Sequence, residues 1–173
     1  MTVVGAADRP ASPEARFSAL FARHYPAVFG YAARRVGREE AADAAAEVFT
    51  VAWRRLGRVP PEPEALPWLY GVARKVVANQ ERAANRRRRL AARLAVNATA
   101  VVAGPGPGAV DVEAALRRLG RADREVLRLA AWEELPPAEI AVVVGCSPNA
   151  AAVRLHRARQ RLAEEMHRGG PNP

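Results

Sequence analysis

The stretch SPNAAAVRLHRARQRL, residues 147–162, decides how the chain is read. Ser147 can cap the orphan amide hydrogens of a first helical turn, and Pro148 suits the first helical position because its ring presets φ and it has no amide proton to leave unpaired. On a repeat of 3.6 residues, Ala151, Leu155, Ala158 and Leu162 form one apolar stripe, while Arg154, Arg157 and Arg161 gather on a neighbouring one. One side is built to be buried. The other is cationic, and a lone basic helix of this kind is ordinarily a solvated surface, so the rest of the chain must say what it meets.

Composition narrows the partner. The net charge of +9 is unevenly placed: residues 71–94 hold eight basic side chains against Glu81 alone, residues 150–168 hold five against two, and these two stretches carry the entire excess. Local basic patches of this kind suit a polyanion. Half the residues are hydrophobic but only 6% are aromatic, with alanine, leucine, valine and arginine prominent, which favours helix over strand. An all-α protein is expected. Residues 1–17 lack an apolar core of signal-peptide length, and the uncharged stretch 94–110 is interrupted by Asn97 and GPGPG, so no membrane insertion is expected. Cys146 is the only cysteine, which rules out an intrachain disulfide and a cysteine-based zinc cluster. A cytoplasmic location follows as the expectation.

Along the chain, residues 1–13 read as a tail. Apolar residues at Phe17, Leu20, Phe21, His24, Tyr25, Val28, Tyr31 and Ala32 predict a first helix. A second follows Gly37, with Ala41, Ala45, Val48, Phe49, Ala52, Trp53 and Leu56 inward, Gly57 as its stop, and Asp43 and Glu47 one turn apart outside. Pro60, Pro61 and Pro63 force a loop over 57–67, after which a long helix starts around Pro67 and runs into the basic segment RAANRRRR. Positions on apolar stripes assign Trp53 and Trp68 to packing. Residues 95–110, rich in glycine, proline and small residues, read as a flexible linker. This divides the chain into a first domain, 14–94, and a second, 111–168, with a tail at 169–173.

The second domain shows three shorter helical patterns before Ser147. The third starts at Pro136 and Pro137, carries Ile140, Val143 and Val144, and ends at Gly145. Short helix, glycine turn and capped helix make the layout of a helix-turn-helix, whose second helix lies in a DNA major groove. The apolar stripe would dock that helix on its own domain and turn Asn149, Ala150, Arg154 and Arg157 outward, where arginine can fork onto guanine or phosphate.

The segment LRRLGRADREVLRLAAWEELPPAEIAVVVGCSPNAAAVRLHRARQRL, residues 116–162, resembles the C-terminal promoter-binding domain (region 4) of bacterial sigma factors of the extracytoplasmic-function type, notably in Glu139–Ala141 and Arg154–Arg159. DAAAEVFTVAWRRL, residues 43–56, and LPWLYGVARKVVAN, residues 66–79, are similar to the N-terminal domain (region 2) of the same family. The resemblance implies a helical bundle and a helix-turn-helix, and a factor that docks on core RNA polymerase, recognises two promoter elements and stabilises melted DNA.

Residue by residue, the resemblance implies that Asp43 and Glu47 contact the clamp helices of the largest polymerase subunit. Ala46 stands where the family commonly has glutamine. Arg74, Lys75, Asn79, Arg82 and Arg86 are implied for the minus-ten element, with the proline-rich loop helping to hold an unpaired base; Lys75 departs from the usual asparagine. Ser147, Asn149, Ala150, Arg154, His156, Arg157 and Arg161 are implied for the major groove of the minus-thirty-five element. Ala152 and Val153 replace a common lysine–serine pair there, which reduces polar readout. An inhibitory anti-sigma partner is expected for many members of the family.

Two other functions compete with this one. A helix-turn-helix regulator could bind duplex DNA without any polymerase, its first domain serving to dimerise. An enzyme acting on nucleic acid would need a carboxylate cluster, a cysteine–histidine set or a phosphate loop, and none stands in the sequence; no GxxxxGK[ST] motif occurs. Neither a cofactor nor catalysis is expected.

Overall fold

The computed structural model describes residues 12–94 and 112–168. The described residues form helices: α1 (Pro13–Val36), α2 (Arg38–Arg54), α3 (Ala65–Leu94), α4 (Val112–Arg118), α5 (Arg121–Ala131), α6 (Pro137–Val144) and α7 (Pro148–Arg168), with a 3₁₀ turn at Leu56–Arg58. The all-α expectation holds. The linker assigned to 95–110 and the tail at 169–173 lie outside the described residues, as does most of the tail assigned to 1–13. Ser12 and Pro13, read as part of that tail, instead start α1: the Ser12 hydroxyl accepts from the Ala15 amide at 3.2 Å and Pro13 takes the first helical position. The reason is the Ser-Pro device that opens α7, repeated here without a preceding apolar run to announce it.

The chain divides into two compact units, Met1–Val77 and Ala78–Pro173, and the division falls within α3. Among the residues of α3 whose burial is described, Val77 is the last buried one, so the helix's basic second half extends past the first unit's core. In the first unit α1 and α2 pack antiparallel across the Gly37 turn, whose φ of 91° requires a glycine-like backbone. Ala32 and Val28 of α1 and Ala41, Ala44, Ala45, Val48, Phe49 and Ala52 of α2 are buried in this unit, and Phe49 crosses to Phe21 and Tyr25 of α1. The inner face of α3 contributes Leu69, Ala73, Val76 and Val77, and Tyr70 stacks on the fully buried Tyr31 with ring centroids 5.2 Å apart. α3 starts at Ala65, and Pro67 sits in its first turn, where a missing amide proton breaks no intrahelical bond.

In the second unit α7 packs on α4, α5 and α6. Val126 and Leu129 of α5, Ile140 and Val143 of α6, and Ala151, Leu155 and Ala158 of α7 form the core. Among the described residues no single helix is long and apolar enough to cross a membrane, and no group of three or more histidine, cysteine, aspartate or glutamate side chains is placed to hold a metal ion.

Candidate nucleic-acid interface

The second unit presents its basic helix through one turn. α6 ends where Gly145 adopts the left-handed conformation, φ 75° and ψ 48°, and the amides of Gly145 and Cys146 both donate to the Ala141 carbonyl, at 2.8 and 3.0 Å. Ser147 then caps α7, its hydroxyl accepting from the Ala150 amide at 3.2 Å. The chain bends by 101° between the two helices, within the range of a helix-turn-helix. Burying Ala151, Leu155 and Ala158 leaves Asn149, Ala150, Arg154, His156 and Arg157 exposed together on the first turns of α7.

The arginine stripe is not uniform. Arg161 is held in an ion pair by Asp123 of α5, whose side chain is only 14% exposed, so Arg161 braces α7 against its own unit. Arg154 and Arg157 have no ion-pair partner among the described residues. A second brace escaped the sequence reading: the Arg124 guanidinium donates to the carbonyls of Leu116, Arg117 and Leu119 at 3.0, 2.9 and 3.0 Å, closing the C-terminus of α4 and tying it to α5.

Lys75, Asn79, Arg82 and Arg86 recur at helical spacing along α3 and all are exposed, which sets three cations and an amide on one stripe of that helix. Arg82 donates to the Asn79 side-chain oxygen. Arg74 is half-buried on the flank of that stripe. The proline-rich loop ahead of α3 is tied to α1 at two points. Arg16 donates to the Val59 carbonyl at 2.7 Å, and the buried His24 meets Glu62 at 2.6 Å, Nε2–H donating because a carboxylate can only accept. Arg23 adds a 3.6 Å ion pair to the same carboxylate.

Asp43 and Glu47 are exposed on the outer face of α2, as the sequence indicated. Trp53 departs from its expected packing role. It is 43% exposed, Phe21 on α1 is 39% exposed, and with Phe17, Ala46, Phe49 and Thr50 they line an open groove of about 540 Å³. Phe17 meets Trp53 edge-on at 5.1 Å and Phe21 meets Phe49 at 4.8 Å, so the rings are ordered against one another while one side faces solvent. The signal that could have revealed the groove is the width of the apolar arc on α1, from Phe17 through Tyr25, which is more than Phe49 and Trp53 of α2 cover.

Comparisons with known proteins match two successive parts of the chain. The family model for sigma-70 region 2 matches residues 20–89, and that for sigma-70 region 4 matches residues 109–162. The chain is 35% identical over 156 residues to the RNA polymerase sigma factor CarQ of Myxococcus xanthus, covering 86% of this chain and 87% of CarQ. It is 33% identical over 157 residues to the ECF RNA polymerase sigma factor SigD of Mycobacterium tuberculosis, covering 84% of this chain and 74% of SigD. Among solved structures it is similar in fold to CnrH, solved with the cytosolic domain of CnrY, at a TM-score of 0.62 and 24% identity over 89% of each chain. It is likewise similar to the sigma factor RpoE of Bartonella quintana, solved with the anti-sigma factor NepR, at a TM-score of 0.60 and 23% identity over 87% of this chain and 96% of that one. With both halves matched in order and a relative aligned over most of its length, the chain belongs to the extracytoplasmic-function group of the sigma-70 family of RNA polymerase sigma factors.

Proposed function

We propose that this sigma factor reads a minus-thirty-five element with the first turns of α7, holds a minus-ten element along the Lys75–Asn79–Arg82–Arg86 stripe of α3, and docks on the clamp helices of core polymerase through α2. The observation that carries the reading is the capped α7: its apolar side is fully used inside the unit, and Asn149, Arg154 and Arg157 stand clear of it. Arginine and asparagine at the N-terminal end of a helix are the side chains that can fork onto guanine and adenine edges in a major groove. Ser147 and Ala150 then approach the backbone, and His156 lies at the groove edge. Arg161, engaged by Asp123, takes a lesser share.

On α3, an exposed lysine and two exposed arginines on one helical stripe suit the phosphates of a strand, and Asn79 offers a base contact. Arg74 supports the stripe from its flank. The loop 59–64, tied to α1 by Arg16 and His24, would form one wall of a pocket for an unpaired base. Unstacking that base costs a few kcal/mol, which contacts in a positive groove offset without nucleotide hydrolysis. The chain thus acts as a specificity subunit in the cytoplasm rather than as a catalyst. On α2, Asp43 and Glu47 supply charge for a basic partner face, and the groove around Trp53 supplies the apolar contact that two exposed carboxylates alone could not. The Bartonella quintana neighbour was solved with an anti-sigma factor, and an inhibitor of this chain would act by covering that groove or the face of α7.

Transcription by purified core polymerase with and without the chain, on a library of randomised promoters, tests the reading. A sigma factor yields transcripts starting at a fixed distance from two enriched sequence blocks. A protein that shifts duplex DNA yet gives no transcript is a plain regulator, and the proposal fails.

A further inference from the structure

We propose that Val153 is a specificity-determining residue of α7, reading a thymine in the minus-thirty-five duplex through its 5-methyl group. The inference rests on the reading of α7 as the major-groove helix and deepens it. Asn149, Val153, His156 and Gln160 recur on the side of α7 opposite Ala151, Leu155 and Ala158, so Val153 stands at the crest of the face presented outward. It is 41% exposed, and among the described residues of α7 it is the large apolar side chain most open to solvent.

A valine at the crest of a groove-reading helix has few chemical options. It can neither donate nor accept a hydrogen bond, so against a guanine, adenine or cytosine edge it would strip water from base groups and leave them unpaired. The thymine methyl is the apolar group a major-groove edge offers. Valine also holds one strongly preferred side-chain rotamer in a helix, so little side-chain freedom is lost on contact. The flanks fix its place: Asn149 lies one turn before it and Arg157 one turn after, and Arg154 and Arg157 supply the positive charge that brings the backbone of the duplex to this face. The arrangement predicts an element in which one thymine methyl, on either strand, lies between bases read by the amide and by the guanidinium.

The test uses the full chain with core polymerase on the promoter recovered from the randomised library. Each thymine of the minus-thirty-five block, on both strands, is replaced singly by uracil, which removes only the methyl group. For the wild-type chain one replacement is expected to weaken binding about fourfold, the value of one buried methyl or methylene group. In V153A that same replacement should have no effect. Alanine is the better helix former and the site is exposed, so the variant keeps the fold. If no uracil replacement weakens wild-type binding while R157A still does, Val153 reads no methyl and the proposal is overturned, with α7 left as the reading helix. Retention of the fourfold loss in V153A overturns it equally. If neither R157A nor any base change in that block alters binding, α7 is not in the groove and the underlying reading falls with the proposal.

Discussion

Two arginines one turn apart on α7 should respond to truncation in opposite ways. Arg157 is exposed and has no ion-pair partner among the described residues, whereas Arg161 is paired with Asp123, whose side chain is 14% exposed. Truncating Arg157 to alanine removes no internal contact of the unit, so stability should change by no more than about 0.5 kcal/mol. Promoter affinity should fall by about 1–3 kcal/mol, roughly five- to 150-fold, if the guanidinium forks onto a base. Arg161→Ala leaves Asp123 uncompensated in a largely buried place. That loss lies between an exposed pair, at most about 1 kcal/mol, and a broken buried one at about 3–5 kcal/mol, so about 1–2 kcal/mol is expected. For a unit of this size each kcal/mol lowers the melting temperature by about 4–8 °C. The assay pairs thermal unfolding of the full chain by circular dichroism with promoter binding by the reconstituted holoenzyme at several salt concentrations. Asp123→Asn serves as the control, since it should reproduce most of the thermal loss of R161A while leaving the outward face of α7 intact. Equal affinity losses for R157A and R161A, with no fall in melting temperature for the latter, would refute the division of the stripe into reading and bracing residues.

Three further outcomes follow from the same contacts. Trp53→Ala should weaken association with core polymerase by about 2 kcal/mol, roughly thirtyfold, as removal of a central aromatic does at an interface; a titration of labelled chain with core enzyme checks this, and unchanged affinity would remove the groove from the docking surface. His24→Ala should free the loop at Glu62 and shorten the lifetime of the open promoter complex severalfold, measured by competitor challenge, while binding to the minus-thirty-five block stays as it was. His24→Gln, which restores a donor, should recover part of that lifetime, and equal lifetimes in all three chains would separate the loop from base capture. Arg124→Ala, losing three charge-assisted hydrogen bonds to carbonyls that water partly replaces, should cost about 2–3 kcal/mol in urea unfolding, and R124K should recover little because an ammonium lacks the fork.

What could be read without coordinates depended on whether the signal was local. The turn before α7 was legible because Pro136–Pro137, Gly145 and Ser147–Pro148 punctuate one short stretch, and each acts through its own backbone. The division of Arg154 and Arg157 from Arg161 was not, since it hangs on Asp123, 38 residues away and brought close only when α5 docks. The same holds for His24 and Glu62, also 38 residues apart. Trp53 escaped a correct reading for a different reason. Periodicity reports which residues share a face but not how far each ring is covered by its neighbours: Phe49 is buried against Phe21 and Tyr25 of α1, whereas Trp53 meets Phe17 along one edge and keeps its other side in solvent.

The distribution of small and large apolar side chains ties the fold to its partners. Ala41, Ala44, Ala45 and Ala52 in the first unit, and Ala115, Ala141, Ala151 and Ala158 in the second, are buried at or beside helix contacts. Small side chains let helix axes approach toward the near end of the usual 8–10 Å spacing. Each buries little apolar area of its own, so the larger buried side chains, Tyr31, Leu69, Leu129 and Ile140, supply much of the driving force. Some larger apolar groups stand partly outside, Phe21 and Trp53 around the α1–α2 groove and Val153 on α7 among them. An exposed aromatic groove is an unspent share of the hydrophobic driving force, realised only when another surface covers it. A partner that binds the folded unit through that groove therefore stabilises it by mass action. The first unit should accordingly gain resistance to unfolding when core polymerase is added, and W53A should lose most of that gain even where its own stability is little changed.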